Sequence, residues 1–397
     1  MREKVKGIIK NMDYIMVLVM TLLICIGLFC AQQTFKLSED RDAILIKNIA
    51  GVCLGYLLFV VVIIIDFHFY CNVSFLMYFA MISVLTYTLV AGSNLNNVNR
   101  WIIILGIRFQ PSEFTKVVLV LFLAFLCNRF KDKLNKLSVF FLLAAAAAMP
   151  VALILLEPHL SSALALLFIF CIIVYSSGIS YKVICAALAL VVPIVAGLFI
   201  AVAVFKVNLP FIEEYQINRV LSFLSSDESD DLSGDYQQNQ SIAAIGSGGL
   251  HGKRISLNAD EDRRYSNLYA KESDFVFAVV GEEFGFIGSF ILLMLYAILI
   301  FRCLIIAKRT PDYMGKIICM GVSAYLMFQI FVNIGVAVKF LPNTGLTLPF
   351  ISYGLSSLIS SMLAIALVVN IGIRQKYKIE THRFYSNVSI GTRRDRI

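Results

Sequence analysis

The chain has 397 residues, of which 59% are hydrophobic and only 15% charged. An ordinary soluble domain carries roughly 25% charged residues, so a soluble globular protein and a disordered chain are both excluded. The net charge of +8, from 34 Lys and Arg against 26 Asp and Glu, sits mostly in short loops and tails, where it reads as a membrane-topology signal and not as a nucleic-acid surface.

The apolar blocks predict about ten spanning helices, at about 14–31, 44–65, 72–92, 111–128, 138–156, 160–177, 182–205, 275–307, 314–338 and 350–373. The first block is long for a signal h-region and no small-residue cleavage site follows it, so it reads as a retained helix. Ten spans place both termini on one side. The segment 1–13, the loop after the fourth span (Arg129, Lys131, Lys133, Lys136), the loop after the eighth (Lys308, Arg309, Lys316) and the tail 374–397 then share that side. Their Lys and Arg predict that it is cytoplasmic. The opposite side carries one long polar loop, 206–273, between the seventh and eighth spans. The expected fold is therefore all-α and polytopic, a single integral membrane domain over 1–397 surrounded by membrane lipids. Nine cysteines lie in apolar blocks, with no CxxC and no histidine at metal spacing. They read as small buried hydrophobes.

Charged residues inside apolar blocks are expensive, roughly 3 kcal/mol at the bilayer centre, and so need partners or water. Pro111 opens the fourth span at a position where its missing N–H costs nothing. Glu113 and Lys116 stand three apart on one helical face. Spacing alone leaves two readings: a structural ion pair, or a cavity wall facing a charged substrate. Arg100, beside the single tryptophan Trp101, could hold a phosphate, while Trp101 itself suits a membrane interface. Glu157-Pro158-His159 forms the outer turn between the fifth and sixth spans, read either as a simple turn or as a proton-handling pair. In the long loop, Tyr236-Gln237-Gln238-Asn239-Gln240-Ser241 precedes Gly246-Ser247-Gly248-Gly249, with Lys253 and Arg254 beyond. Amides before a glycine cluster can form an anion-binding nest, and a flexible turn is the alternative. Asp274 sits where the loop meets the eighth span, either as a helix cap or as a half-desolvated general base. Glu282 and Glu283 follow between Gly281 and Gly285 and require partners. The stretch 341–354 is apolar yet holds Pro342, Gly345, Pro349, Ser352 and Gly354. Broken backbone at membrane depth is tolerated only against protein or a water-filled cavity, so this stretch is expected to line the working site.

Taken together, Arg100-Trp101, Gln110-Pro111-Ser112-Glu113 with Lys116, Tyr236-Gln237 with Gln240-Ser241, Gly246-Ser247-Gly248-Gly249, Asp274-Phe275-Val276-Phe277-Ala278 with Gly281-Glu282-Glu283, and 341–354 resemble the SEDS family of FtsW, RodA and SpoVE. The motifs come in the family's order along nearly the whole chain. The resemblance implies a peptidoglycan glycosyltransferase of the bacterial cytoplasmic membrane. Such an enzyme polymerises lipid II into a nascent glycan strand at the outer face and works with a class B penicillin-binding protein. It implies Asp274 as the catalytic residue. Arg100, Glu113, Lys116, Gln237, Gln240, Ser241, Lys253, Glu282, Pro349 and Ser352 become candidate substrate-binding residues. A divalent cation such as magnesium would help the pyrophosphate leave, but no ligand cluster in the sequence shows one. The chain departs from the family where Gln-Pro-Asp-Leu-Gly-Thr-Ala is usual and Glu157-Pro158-His159-Leu160-Ser161-Ser162-Ala163 stands instead. A lipid II flippase, and a catalytically weak scaffold that recruits the penicillin-binding protein, are the alternative functions.

Overall fold

The computed structural model describes residues 2–36, 41–95, 98–104, 107–157, 159–183, 185, 234–254 and 263–394. The expected seventh span, 182–205, lies almost wholly outside them, as do Pro158 and the first part of the long loop. In chain order the helices are α1 (Arg2–Asn11), α2 (Tyr14–Thr34), α3 (Arg41–Ile64), α4 (Phe67–Ala91), α5 (Pro111–Arg129), α6 (Leu137–Leu156), α7 (Leu160–Ser176), α8 (Gly234–Ser247), α9 (Val276–Arg309), α10 (Tyr313–Ala337) and α11 (Leu355–Arg394). Eight of them, all but α1, α7 and α8, are long and apolar enough to cross a membrane. The chain is a multi-pass membrane protein. Of the nine cysteines, five are buried, whereas Cys25, Cys53, Cys171 and Cys185 are exposed.

An all-α chain was expected, and one segment departs from it. Between α4 and α5, strands β1 (Ser93–Leu95), β2 (Val98–Ile104) and β3 (Ile107–Phe109) pair antiparallel in that order. Ile102, Ile103 and Ile104 are β-branched and favour a strand over a loop; Ile103 pairs with Arg108 and Ile102 with Phe109. The last helix begins at Leu355 and not near 350, because 350–354 is a turn with Phe350 at φ 67°. It then continues to Arg394, beyond the predicted stop near 373.

The centre of the bundle is built from α5 and α11. The most apolar stretches of these helices are 83% and 94% buried, against 28% for α4 on the periphery. Small residues let backbones approach: Gly51 and Gly55 of α3 lie directly against Leu355 and Met362 of α11. Asn370 of α11 closes the end of α3, its Nδ2 donating to Val62 O (2.6 Å) and Ile65 O (2.5 Å). Those carbonyls would otherwise be orphaned at the helix terminus. Pro150 lies inside α6 and has no N–H for the carbonyl of Ala146 four residues back. The Tyr78 hydroxyl of α4 donates to that carbonyl instead (2.8 Å).

The most informative irregularity is in α9. At Gly285 the backbone leaves the helix (φ 66°, ψ −162°), a region open to glycine alone. A regular helix would send the N–H groups of Phe286 and Ile287 to the carbonyls of Glu282 and Glu283. Here residues 249–254 enter the gap. Phe286 N donates to Gly249 O (2.9 Å) and Ile287 N to Leu250 O (3.1 Å), while Lys253 N donates to Glu282 O (2.9 Å) and Arg254 N to Glu283 O (3.2 Å). Gly248 and Gly252 permit this, since each lies directly against the α9 backbone. The glycine cluster thus serves a backbone-to-backbone junction.

Candidate functional site

Asp274 closes a tight turn before α9. The N–H groups of Ser273, Asp274 and Phe275 all donate to Ala270 O, at 3.1, 3.1 and 3.3 Å. The helix cap falls on Phe275, one residue later, and not on Asp274. The Asp274 side chain is half-buried. Its carboxylate faces Gly345, where a Cβ would stand 3.3 Å from Oδ2. Gly345 has φ +69°, so glycine suits this place both by conformation and by space.

The stretch 341–354 is the wall opposite Asp274, and side chains from three elements hold it there. Asn333 Nδ2 of α10 donates to Leu346 O (2.6 Å) and to Asp274 O (2.9 Å), joining the two segments. Ser161 of α7 donates to Thr344 O. Ser352 Oγ accepts from Leu348 N (2.7 Å) and donates to Ser273 O (2.6 Å), while Tyr353 N donates to Glu272 O (2.7 Å). Pro349 enters through its carbonyl, which accepts from Tyr296 OH of α9 (2.5 Å).

The structure distributes the other sequence-derived residues unevenly around this centre. Glu113 and Lys116 form an ion pair of 2.7 Å with both side chains almost fully buried. Gln329 Nε2 of α10 donates to Glu113 Oε2 (3.4 Å), and Lys116 stands 5.6 Å from the Tyr325 ring centroid. The pair is closed in between α5 and α10, as the structural reading of its spacing required. Arg100 lies on β2, and its Nε donates to Glu157 O (2.8 Å), tying the ribbon to the turn before α7.

Glu282 and Lys253 lie in the junction at the α9 break. Lys253 Nζ meets Glu282 Oε1 at 2.6 Å, and Glu282 also accepts from Arg264 N (2.8 Å) and Tyr265 N (2.9 Å). Glu283 accepts from Arg263 Nε (2.8 Å) and Tyr265 OH (2.9 Å). These bonds fasten the returning loop to α9. On α8, Ser241 donates to Ala337 O (2.7 Å), and Gln237 Oε1 accepts from Asn343 Nδ2 (3.1 Å). Gln240 is half-buried on the same helix. Gln238, which the sequence did not single out, donates to Val336 O (2.9 Å) and Leu341 O (2.7 Å). It and Ser241 supply the donors that the carboxyl end of α10 lacks. Gln238 lay within the amide run, but nothing local separates it from Gln237. Tyr265 was also missed, for the same reason.

Beside this assembly, a groove of about 300 Å³ is lined by Ile245, Phe277, Phe286, Phe290 and Leu293, with small residues completing it. Among the described residues, no group of three His, Cys, Asp or Glu side chains is placed to hold a metal ion.

A family model described as a cell cycle protein of the FtsW, RodA and SpoVE type matches residues 10–377. The chain belongs to the FtsW/RodA/SpoVE family. It is similar to the probable peptidoglycan glycosyltransferase FtsW of Geobacter sulfurreducens, at 29% identity over 93% of this chain and 97% of that protein. It is also similar to the peptidoglycan glycosyltransferase MrdB of Escherichia coli K12, at 30% identity over 89% of this chain and 92% of that one. Among solved structures, a chain from a peptidoglycan synthase complex that coordinates polymerization and crosslinking superposes with a TM-score of 0.75. That match has 26% identity and covers 92% of this chain and 98% of the other. Within this family, the chain's Asp274 turn, its 341–354 wall and its α8–α9 junction form one connected assembly at one end of the bundle.

Proposed function

We infer that the chain is a peptidoglycan glycosyltransferase that polymerises lipid II at the outer face of the cytoplasmic membrane, with Asp274 as its general base. The observation that carries this reading is the half-buried Asp274 carboxylate facing Gly345, with the backbone carbonyls of Ser273, Asp274 and Leu346 held by hydrogen bonds from Ser352 and Asn333. Asp274 takes the proton from the 4-hydroxyl of the acceptor sugar. That oxygen bonds to C1 of the donor sugar as the C1–O bond to undecaprenyl pyrophosphate breaks, with inversion at C1. The pyrophosphate leaves carrying the negative charge, which Arg100 would offset, since Lys116 is already neutralised by Glu113. The apolar groove beside Phe277 suits a prenyl chain. A divalent cation would supply further charge stabilisation, but no group of three His, Cys, Asp or Glu side chains among the described residues is placed to hold one.

The named activities of the FtsW and MrdB relatives support this reading, and the neighbouring synthase complex supports a cross-linking partner of the class B penicillin-binding type. The basic loops support an orientation with both termini in the cytoplasm. For a flippase, Lys47, Glu113, Lys116, Glu282 and Lys339 would mark a path through the membrane. Four of these are instead held locally, Glu113 and Lys116 by each other, Glu282 by Lys253, and Lys339 by Asn239 (3.0 Å), while Lys47 is exposed on α3. The test is lipid II polymerisation by the purified chain with its co-expressed partner. Glycan strands from the wild type and none from Asp274→Asn are expected; strands from both would remove Asp274 from the mechanism.

A further inference from the structure

The backbone of the turn that carries Asp274 is occupied atom by atom. On the amide side, Ala270 O accepts from the N–H groups of Ser273, Asp274 and Phe275. Ala270 itself stands at φ 53°, a left-handed conformation that a residue with a Cβ keeps only where its surroundings hold it. On the carbonyl side, three successive oxygens each meet a donor from outside the turn. Glu272 O accepts from Tyr353 N (2.7 Å), Ser273 O from Ser352 Oγ (2.6 Å) and Asp274 O from Asn333 Nδ2 (2.9 Å).

Two of these donors are side chains, and each also bonds the wall. Asn333 Nδ2 donates a second time, to Leu346 O (2.6 Å), and Ser352 Oγ accepts from Leu348 N (2.7 Å). Leu346 and Leu348 follow closely on Gly345, the residue that Asp274 Oδ2 faces. Each side chain therefore spans the gap between the Asp274 turn and the wall. One comes from α10 and the other from the wall itself, so the short turn has two separate supports.

Burial decides what these side chains touch. Asn333 is 1% exposed and Ser352 6%, and Leu346 and Leu348 are buried beside them. The Ser352 hydroxyl directs its only proton at Ser273 O. Asn333 Oδ1 is buried without a hydrogen-bond partner, so the amide is held by its two donated bonds.

We propose that Asn333 and Ser352 are paired positioning residues: two parallel clasps that hold the Asp274 turn against the 341–354 wall and so fix where the carboxylate stands. The proposal rests on the reading of Asp274 as the base. Both side chains act through the backbone of the turn and not on the substrate. With one clasp removed the other still holds the turn; with both removed the carboxylate is free to leave its place beside Gly345.

The experiment measures lipid II polymerisation by the full chain with its partner, for Asn333→Leu, Ser352→Ala, the double variant, Asp274→Asn and Tyr78→Phe. Both kcat and KM are read, with thermal unfolding in detergent for each protein. Leucine is close to asparagine in shape and has no donor. A misplacement of about 1 Å can cost about 10²-fold in rate. Each single variant keeps one clasp, so kcat should fall about tenfold with KM within about twofold. The double variant should fall about 10³-fold, more than the two single losses multiplied, because neighbouring supports of one element do not act independently. Tyr78→Phe loses a bond between α4 and α6; it should melt earlier and keep wild-type kcat. Wild-type kcat in either single variant would overturn the proposal. So would a raised KM with unchanged kcat, which would put the side chains on the substrate. Single losses that merely multiply in the double variant would overturn the pairing, and an equal loss of kcat in Tyr78→Phe would reduce the effect to stability. Should Asn333→Leu not fold, Ser352→Ala decides alone, by the same split of kcat from KM. Wild-type turnover in Asp274→Asn would instead remove the base reading, whatever the other variants do.

Discussion

Replacing Gly285 by alanine separates two ways for α9 to respond. If the break is kept, the alanine must adopt φ 66° and ψ −162°, which costs about 1–3 kcal/mol. Its Cβ would also meet the backbone of Gly252 and His251, which cannot rotate away as a side chain could. If the helix straightens, Phe286 and Ile287 recover their bonds to Glu282 and Glu283. The four bonds that residues 249–254 make to α9 are then lost. Two bonds regained against four lost leaves a deficit of two, or about 2 kcal/mol at about 1 kcal/mol each. Either route destabilises the variant by about 2–4 kcal/mol. Only straightening releases residues 249–254. Lys253 and Arg254 make that segment a trypsin site, and proteases need unbound, extended backbone. Gly285→Ala should melt at lower temperature in detergent and be cut after Lys253 or Arg254 faster than the wild type. A variant with unchanged melting and unchanged cleavage would refute the reasoning that the glycine exists to admit this segment.

Lys116→Met should destabilise the chain by about 3–5 kcal/mol, because Glu113 is left buried without its partner. The double variant with Glu113→Gln should recover much of that loss in thermal unfolding, and equal melting of single and double variants would argue against a structural pair. Tyr78→Phe removes the donor to Ala146 O and should cost about 1–2 kcal/mol. In a Pro150→Ala background the helix supplies that bond itself, so a double-mutant cycle should show the Tyr78 effect nearly vanish. Burial pushes Glu157 up to about 8, with Arg100 opposing. Between the unfolded value near 4.5 and about 8 the folded state then holds the extra proton, so its contribution to stability falls as pH rises. His159, pushed down to about 3, has the opposite sign: stability falls as pH drops from 6.5 toward 3. Unfolding followed from pH 5 to 8 should therefore show Glu157→Gln gaining on the wild type as pH rises; a constant difference would contradict the buried neutral acid.

The sequence disclosed what depends on local composition. Apolar runs of about 20 residues located most of the described spans to within a few residues, and Pro111 marked the start of α5. The spacing of Glu113 and Lys116 placed them on one face, as the 2.7 Å pair requires. Ion pairs across the chain were not legible in the same way. Lys253 and Glu282 lie 29 residues apart, and only the break at Gly285 brings the loop to the helix. Gly281 and Gly285 stand four apart, a spacing that suits close helix packing, and spacing alone cannot say that the second glycine leaves the helix. The β-ribbon was missed since Trp101-Ile102-Ile103-Ile104, lying between two predicted spans, lacks the apolar–polar alternation that marks a half-buried strand. Asp274 was singled out by its place at the loop–helix boundary. What fixes it there, Gly345 and Asn333, comes from segments 59 or more residues away.

The most direct test of the central claim is the single-turnover rate of lipid II coupling, measured for wild type and Asp274→Asn at saturating substrate with binding measured separately. Removal of a general base should lower the rate by about 10²–10⁴ while lipid II binding stays within a few-fold. Equal rates in the two proteins would contradict the assignment. A loss of binding that accounts for the whole loss of rate would contradict it as well, and would make Asp274 a substrate ligand.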